Sequence, residues 1–181
     1  MSLTKKQYDD AQQRALELFY KASIILTNQE KANLEVADFG LNKLNEMGLE
    51  IITYVNTERC CAKEMVLFSK QICPEHCHPS IDGNPGKEET FRCRYGEVYL
   101  YVEGAPTSKI KAILPQGHEK WFTVFHELIL HPGEQYTLSP NTLHWFQAGP
   151  NGAVVSEFST KSRDESDIFT DLGIKRIPEI Q

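Results

Sequence analysis

The chain has 181 residues and a formal net charge of −6, with 40% hydrophobic and 24% charged residues. These values are typical of a globular protein that buries its own core, and the length favours a single domain. An acidic chain is a poor partner for nucleic acid or for an anionic membrane surface, so we expect neither partner.

Three features of the sequence indicate where in the cell the protein is expected. No apolar run approaches the roughly 18 residues of a membrane span. The first residues show no basic segment followed by an apolar one, so we expect no signal peptide. The cysteines are odd in number and include an adjacent pair, which favours reduced thiols and a cytoplasmic location over a disulfide framework: Cys60, Cys61, Cys73, Cys77 and Cys93.

The first part of the chain predicts helices. Residues 4–22 carry apolar side chains at helical spacing. A short second helix is predicted over 29–32, because Thr27 and Glu30 can form a capping box at its start. Apolar residues at similar spacing predict a third helix over 36–47.

The remainder of the chain predicts strands. Residues 51–56 are β-branched and aromatic, and residues 62–68 form another short apolar run. A long apolar and aromatic strand is predicted over 119–131. Turn sequences rich in glycine and proline separate the later segments, which favours an antiparallel sandwich or barrel.

Two histidines stand one residue apart, at His76 and His78. In a strand these side chains project from the same face, while Cys77 projects from the other. Two adjacent imidazoles suit a borderline divalent metal. A zinc site that uses Cys73 and Cys77 beside His76 is an alternative, although the alternation places Cys77 opposite the histidines.

The residues that follow match two further motifs. Glu89 is separated by six residues from Gly96, and Gly133, Pro140 and His144 follow later in the chain. The sequence resembles the cupin superfamily at both motifs. The resemblance implies a mainly β fold, the cupin double-stranded β-helix or jelly-roll barrel, with the N-terminal helices packed outside it.

We therefore expect one cupin domain over residues 1–181. It consists of a helical N-terminal extension over 1–48, a β-barrel over 49–160 and a tail over 161–181. No internal repeat or low-complexity segment argues for a second domain.

The predicted metal ligands are His76, His78, Glu89 and His144. Three imidazoles and a carboxylate suit manganese, iron, nickel, cobalt or zinc, and the ligand types do not choose among these metals. The absence of thiolates disfavours a structural zinc site. With four protein ligands on an octahedral ion, two positions stay free for a substrate.

Longer blocks narrow the resemblance to the D-lyxose isomerase family over about residues 40–171. This resemblance implies reversible conversion of D-lyxose to D-xylulose, often with D-mannose to D-fructose as a second reaction, and manganese as the usual metal. The blocks are Tyr54-Val-Asn-Thr-Glu-Arg-Cys-Cys-Ala-Lys-Glu-Met, Cys73-Pro-Glu-His-Cys-His-Pro, Pro140-Asn-Thr-Leu-His-Trp-Phe-Gln-Ala-Gly, Ser156-Glu-Phe-Ser-Thr and Asp167-Ile-Phe-Thr-Asp.

Isomerisation of an aldose needs proton carriers beside the metal. Lys87 lies two residues before Glu89, so we expect it to point into the cavity and to donate a proton to the substrate oxygen. Glu157 lies in an apolar strand, and we expect it to move the proton between C1 and C2. A solvent-facing lysine and an ion-paired carboxylate at the barrel mouth are the alternatives.

The sequence also supports predictions for Asp167 and Trp145. Asp167 is expected to bind sugar hydroxyls or to lock the tail over the pocket, and a solvated carboxylate in a charged tail is the alternative. Trp145 follows a predicted ligand in its strand, so alternation points it away from the metal, where it serves packing.

Three rival functions remain open. A non-haem iron cupin dioxygenase uses the same ligand set, and a phosphosugar isomerase needs a basic cluster for the phosphate. A non-catalytic sugar-binding or metal-binding cupin is the third rival, but it leaves Lys87 and Glu157 without a role. The strand over 119–131 and the N-terminal helices suggest burial against a second subunit, so we expect a homodimer.

Overall fold

A computed structural model describes residues 3–177. Residues 1 and 2 of the predicted helical extension and residues 178–181 of the predicted tail lie outside the described part. Within residues 3–177, no helix is both long enough and apolar enough to cross a lipid bilayer.

Two helices open the described chain, as predicted. Helix α1 spans Lys5–Lys21 and helix α2 spans Asn28–Ala32. Thr4 caps the first helix and Thr27 caps the second, and the side chain of Glu30 completes the capping box of α2. Each box satisfies backbone N–H groups that the first turn of a helix leaves unpaired.

The strands of residues 3–177 join in a single nine-stranded sheet that is antiparallel at every strand pair. Short 3-10 helices lie at Glu119–Trp121 and Asp164–Ser166. The strands are β1 (Glu35–Ala37), β2 (Leu49–Asn56), β3 (Cys61–Leu67), β4 (Ile72–Cys77), β5 (Glu89–Val102), β6 (His126–Leu130), β7 (Gln135–Leu138), β8 (His144–Ser159) and β9 (Ile168–Phe169). Strands β2 and β3 confirm the predictions for 51–56 and 62–68.

Strands β5 and β8 organise the sheet because each belongs to both of its halves. The first part of β8 pairs with β4 and with the last part of β5, and its last part pairs with β3 and with the first part of β5. One half runs β1-β2-β3-β8-β5-β7 and the other runs β9-β4-β8-β5-β6. This arrangement is a jelly-roll barrel, and the fold is the predicted mainly β cupin fold.

The motif glycine Gly96 marks the point where β5 passes between the halves. Its φ is +73°, and a Cβ built there would lie 2.0 Å from the carbonyl oxygen of Gly152. Any other residue would clash with the backbone of β8 and strain its own, which explains the glycine at this place in the motif.

The sheet half that carries β2 and β3 is covered on both faces. Helix α1 packs on its outer face against Ile52, Val66 and Val154. The inner face buries alternate side chains in the barrel, among them Leu49, Ile51, Met65, Leu67, Phe91 and Val155. Burial on both faces explains why apolar residues follow one another at Ile51 and Ile52 of β2 and at Met65 to Leu67 of β3, whereas the last four residues of β2 are exposed.

The predicted third helix over 36–47 is wrong. The segment begins with β1, in which Val36 pairs with Glu50 of β2. Turns follow, with left-handed backbone at Phe39 (φ 55°) and Asn42 (φ 55°). A right-handed helix cannot contain such residues, so the spacing of the apolar side chains imitates a helix that the backbone does not form.

The predicted strand over 119–131 is wrong in its first part. Residues Glu119–Trp121 form a 3-10 helix, and the chain becomes a strand only at β6. The backbone between them is held by Glu75, whose carboxylate accepts hydrogen bonds from the backbone N–H groups of Thr123 (2.6 Å) and Val124 (3.0 Å). These N–H groups therefore bond to a side chain instead of a neighbouring strand.

Candidate active site

Three histidines and one glutamate meet inside the barrel. His76 lies near the end of β4, His78 directly follows that strand, and Glu89 and His144 begin β5 and β8. His76 stands directly opposite His144 in the β4–β8 ladder, and their ring centroids are 4.3 Å apart. All four predicted ligands are buried, and contacts among their side chains bring them together inside the barrel.

Each histidine is oriented by a hydrogen bond at Nδ1. His76 donates to the carbonyl oxygen of Pro74 (2.8 Å), and His144 donates to that of Thr142 (2.9 Å). His78 Nδ1 lies 2.5 Å from the carboxylate of Asp167. Acceptors at Nδ1 place a proton there, which leaves Nε2 of His76 and of His144 as lone-pair donors. This is the usual outer arrangement around metal-bound histidine.

The three imidazoles could hold a metal ion. One ring nitrogen from each of His76, His78 and His144 lies within 4.8 Å of the others, and within residues 3–177 this is the only such group of histidine, cysteine, aspartate or glutamate. The buried Nε2 of His144 has no hydrogen-bond partner. A buried acceptor without a donor is costly, and a cation at the centre would satisfy it. Cys73 and Cys77 are outside the group, which removes the support for the zinc alternative.

Glu89 adds a carboxylate to this group. Its Oε1 lies 2.9 Å from Nε2 of His78 and 3.1 Å from Nε2 of His144, the latter in a direction that makes no hydrogen bond. Its Oε2 lies 2.7 Å from the ammonium of Lys87. Burial would raise the pKa of Glu89, but Lys87 and His78 hold it well below its usual range. The group is therefore an anion that can bind a cation.

The histidines differ in protonation. Burial, together with neighbouring His144 and His78, holds the pKa of His76 well below its usual value, so this ring is neutral and ready to bind a metal. Burial also opposes charge on His78, but Glu89 and the hydrogen bond to Asp167 raise its pKa to about 9. A divalent cation that binds here displaces this proton, as metal binding to protein ligands commonly does.

Lys87 is buried and points into the cavity, so the solvent-facing alternative is wrong. Its ammonium lies 3.1 Å from Oε1 of Glu157, which also accepts a hydrogen bond from Ser159 Oγ at 2.9 Å. Burial opposes the charge on Lys87, yet Glu157 and Glu89 raise its pKa well above the usual value. A charged acid and a carboxylate thus stand side by side next to Glu89.

Glu157 is an ion-paired carboxylate, which is the alternative expected from the sequence, but it is also buried inside the cavity. The cavity measures about 30 Å³ and adjoins two of the histidines. Its apolar wall includes Ile51, Met65 and Phe146, and its polar wall includes Lys63, Lys87, Glu89, Glu157, Asp167 and Arg176. Charged groups of both signs therefore line one side of a small apolar space.

The tail closes this cavity. Asp167 holds His78, so it is not a solvated carboxylate, and β9 pairs Phe169 with His76. The ring of Phe169 stacks on that of His76 with centroids 5.2 Å apart. Arg176 reaches Asp164 at 3.1 Å and also pairs with Glu35. The prediction that Asp167 helps to lock the tail over the pocket agrees with this placement.

Trp145 faces away from the histidines, as predicted. Its ring stacks on Tyr101 with centroids 3.9 Å apart, and its indole N–H donates to the carbonyl oxygen of Val124 at 2.8 Å. Its environment is a second apolar cluster that contains Phe122 and Tyr99. Trp145 therefore stabilises the barrel wall behind His144.

Several residues of the site were not predicted from the sequence. Lys63, Asp164 and Arg176 form ion pairs around the cavity, and Glu75 binds both Val124 and Thr170 beside His76. Lys63 had a usable signal, because it is a charged residue at an inward position of an apolar strand. The tail residues had none, since their approach depends on long-range docking.

The chain is similar to sugar isomerases along almost its whole length. The family model described as D-lyxose isomerase matches residues 20–181. The chain is 60% identical over 179 residues to a D-lyxose/D-mannose isomerase of Thermosediminibacter oceani, covering 99% of each chain. It is 59% identical over 178 residues to a D-lyxose ketol-isomerase of a Thermofilum species, covering 98% of this chain and 99% of the relative.

Solved structures with the same fold include sugar isomerases of low sequence identity. The L-ribose isomerase of Cellulomonas parahominis, solved with L-ribose, superposes with a TM-score of 0.83 at 18% identity and 99% coverage of both chains. The L-ribose isomerase of Acinetobacter sp. DL28 gives a TM-score of 0.82 at 16% identity, covering 99% of this chain and 98% of the other. At these identities the likeness concerns the fold alone.

Proposed function

Because the chain belongs to the D-lyxose isomerase family, we propose that it is a metal-dependent aldose–ketose isomerase. It interconverts D-lyxose and D-xylulose, and also D-mannose and D-fructose. The observation that carries the proposal is the buried Lys87–Glu157 pair beside the carboxylate of Glu89. A site that only binds sugar has no need of a proton donor and a base in contact with each other.

The proposed metal ligands are His76, His78, Glu89 and His144. They hold one divalent cation, and manganese is the ion that the family resemblance favours. When bound, the ion supplies a Lewis acid and a template for neighbouring sugar oxygens. The unpartnered Nε2 of His144 and the anionic Glu89 support this ligand set.

The proton transfer follows from the positions of Glu157 and Lys87. Glu157 takes the proton from C2 of the aldose, while Lys87 gives a proton to the carbonyl oxygen on C1, which yields an enediol. Lys87 then recovers a proton from the oxygen on C2 as the ketone forms, and Glu157 returns its proton to C1. Atoms and charges balance, and both residues end in their starting states.

Asp167 is proposed to bind a sugar hydroxyl as well as to hold His78. Its carboxylate lines the cavity beside Lys87 and Phe169, where a hydroxyl could reach it. A carboxylate is a strong acceptor for hydroxyl groups, so it would orient the chain of the sugar. Arg176 and Phe169 close the same side of the cavity and exclude water from the reacting carbons.

Removal and return of metal tests the function. We expect EDTA treatment to abolish the conversion of D-lyxose and D-mannose, and added Mn²⁺ to restore it. The measurement pairs metal analysis with ketose formation in the same samples. Sugar binding without turnover would instead indicate a binding protein, and oxygen consumption by the iron-loaded protein would indicate a dioxygenase.

The proposal also includes a cytoplasmic location and a homodimeric assembly. The free state of all five cysteines agrees with a cytoplasmic location. A homodimer is proposed because the outer sheet face exposes large apolar side chains on the two strands that flank β3, with Val55 of β2 at 39% and Phe158 of β8 at 51% exposure. Light scattering coupled to size-exclusion chromatography tests the dimer, and a monomeric mass would contradict it.

A further inference from the structure

Beyond the residues assigned so far, a second ammonium group faces Glu157. Lys63 of β3 is buried, and its Nζ lies 4.0 Å from Oε1 of Glu157. The same Nζ donates hydrogen bonds to Ser162 Oγ at 2.9 Å and to both carboxylate oxygens of Asp164, at 2.9 and 2.8 Å. Lys63 therefore connects the base of the proposed reaction to the tail.

The position of Lys63 is fixed by the sheet. Lys63 stands directly opposite Glu157 in the β3–β8 ladder, and Phe91 stands opposite Glu157 in the β5–β8 ladder. Cross-strand neighbours on one face are held about 5 Å apart, so their side chains meet without any loop movement. The separation between the lysine and the glutamate is thus built into three paired strands.

Lys63 and its hydrogen-bond partner Asp164 are both charged. Burial would lower the pKa of Lys63, but Glu157 and Asp164 raise it, which keeps the ammonium form. Burial would raise the pKa of Asp164, but Lys63, Lys87 and Arg176 hold it well below its usual range. Charges of alternating sign therefore run from the tail through Lys63 to Glu157 and on to Lys87 and Glu89.

The two lysines next to Glu157 have different surroundings. Lys87 contacts the predicted metal ligand Glu89 and faces the reacting sugar in the proposed function. Lys63 has its hydrogen-bonding capacity taken up by Ser162 and Asp164, and it reaches Glu157 only through its charge. A group with these contacts cannot serve as a proton donor to the substrate without breaking the tail contacts.

We propose that Lys63 is a positioning residue that, anchored by Ser162 and Asp164, keeps the Glu157 carboxylate aimed at the substrate carbon. The inference rests on the proposed isomerase function. Without the second ammonium, Lys87 is the only cation that attracts the Glu157 carboxylate, so the carboxylate can turn wholly toward Lys87. This rotation moves the base away from the substrate carbon and leaves the four predicted metal ligands untouched.

The test compares Lys63→Met with Lys63→Arg in the manganese-loaded enzyme. We expect Lys63→Met to lower kcat by about 10–100-fold, with KM and bound metal within about twofold of wild type. Lys63→Arg keeps the positive charge and should recover most of the loss. Lys5→Met, which removes an exposed helix lysine, serves as the control and should leave kcat unchanged.

A double-mutant cycle separates positioning from a structural role. If Lys63 acts through Glu157, adding Lys63→Met to Glu157→Gln lowers kcat no further than Glu157→Gln alone. Independent, multiplying losses would overturn the inference, as would a kcat for Lys63→Met within twofold of wild type, or a loss that only tracks bound metal or folded protein. If Lys63→Met does not fold, Asp164→Asn must show the same selective loss of kcat, and normal turnover there overturns the inference.

The two proposals fail in different ways. If the wild-type enzyme with manganese converts no aldose, the proposed function itself is wrong. If the wild type is active and the Lys63 variants are normal, only the positioning role is wrong. Circular dichroism and metal analysis of every variant, measured before the assay, make the two results distinguishable.

Discussion

Strand β2 and the segments near it bury carboxyl groups on both faces of one sheet, and the surroundings of these groups differ between the faces. On the helix-covered face, Glu50 is completely buried; its Oε1 accepts a hydrogen bond from Gln71 at 3.3 Å, and its Oε2 has no hydrogen-bond partner. On the barrel side, Glu89, Glu157 and Asp164 are each bound to at least one lysine.

The protonation of the two sets differs accordingly. Burial raises the pKa of Glu50 well above its usual value, and the contact with Gln71 offsets this only in part. On the barrel side, lysines hold the pKa values of Glu89 and Asp164 well below the usual range. Burial alone neutralises a carboxylate, whereas a paired lysine keeps it charged, and only the charged form can bind metal or take up a proton.

Replacement of Glu157 by glutamine should give the largest effect that separates the two faces. We expect kcat to fall by about 100–10,000-fold, because the amide cannot accept the C2 proton, while bound metal stays at the wild-type level. The matched control is Glu50→Gln, which changes an equally buried carboxylate on the other face. Equal activities of Glu157→Gln and the wild type would remove Glu157 as the base.

Asp167→Asn should have an intermediate effect, on metal affinity. The amide holds the Nδ1 proton of His78 less strongly than the carboxylate does, so we expect Mn²⁺ affinity to fall by about 10–100-fold. Asp171→Asn is a close control, since Asp171 bonds His118 at 3.2 Å in the same tail but outside the cavity. Titration of each metal-free variant with Mn²⁺ measures the two affinities. An Mn²⁺ affinity of Asp167→Asn equal to that of wild type would contradict the expectation.

Glu50→Gln should give the smallest effect, on stability alone. A carboxylate whose pKa is raised on folding stabilises the fold below its unfolded pKa and loses that contribution as the pH rises. We therefore expect the variant to be more stable than wild type at pH 8, by about 1.4 kcal/mol for each pKa unit of the shift, and similar near pH 4. Urea unfolding at both pH values measures this.

The control for the stability test is Glu46→Gln, a more exposed carboxylate of the same region. Its free energy of unfolding should follow that of wild type at both pH values. A Glu50→Gln variant whose stability difference from wild type is the same at pH 4 and pH 8 would show that Glu50 is charged in the fold. The contrast between the two faces would then be lost.

The sequence predicts those parts of the site that depend on local alternation. His76, His78, Lys87 and Glu89 point inward because alternate residues of extended chain share a face, and Glu157 follows the same rule in β8. The two cupin motifs add the remaining ligand by resemblance. The inward placement of the predicted metal ligands, of Lys87 and of Glu157 is thus predictable from the amino-acid sequence, whereas the direct contact between Lys87 and Glu157 is not.

The remainder depends on contacts between distant segments. Asp164 and Arg176 reach the cavity because the tail docks across the barrel, and no periodicity encodes that docking. The error over 36–47 has a related cause, since the left-handed residues Phe39 and Asn42 allow turns that bury the same side chains a helix would bury. Apolar spacing indicates which side chains are buried and leaves the backbone path open.

Strand β8 carries His144 at its start and Glu157 near its end. Between them, residues 149–152 begin and end with glycine and do not pair with β5; we call this segment the excursion. A one-residue insertion elsewhere in this strand would reverse the face of one end and separate a predicted metal ligand from the proposed base. The excursion is the place where chain length can vary without that reversal. For protein engineering, it is a natural site for a graft, and the paired stretches on either side must keep their length.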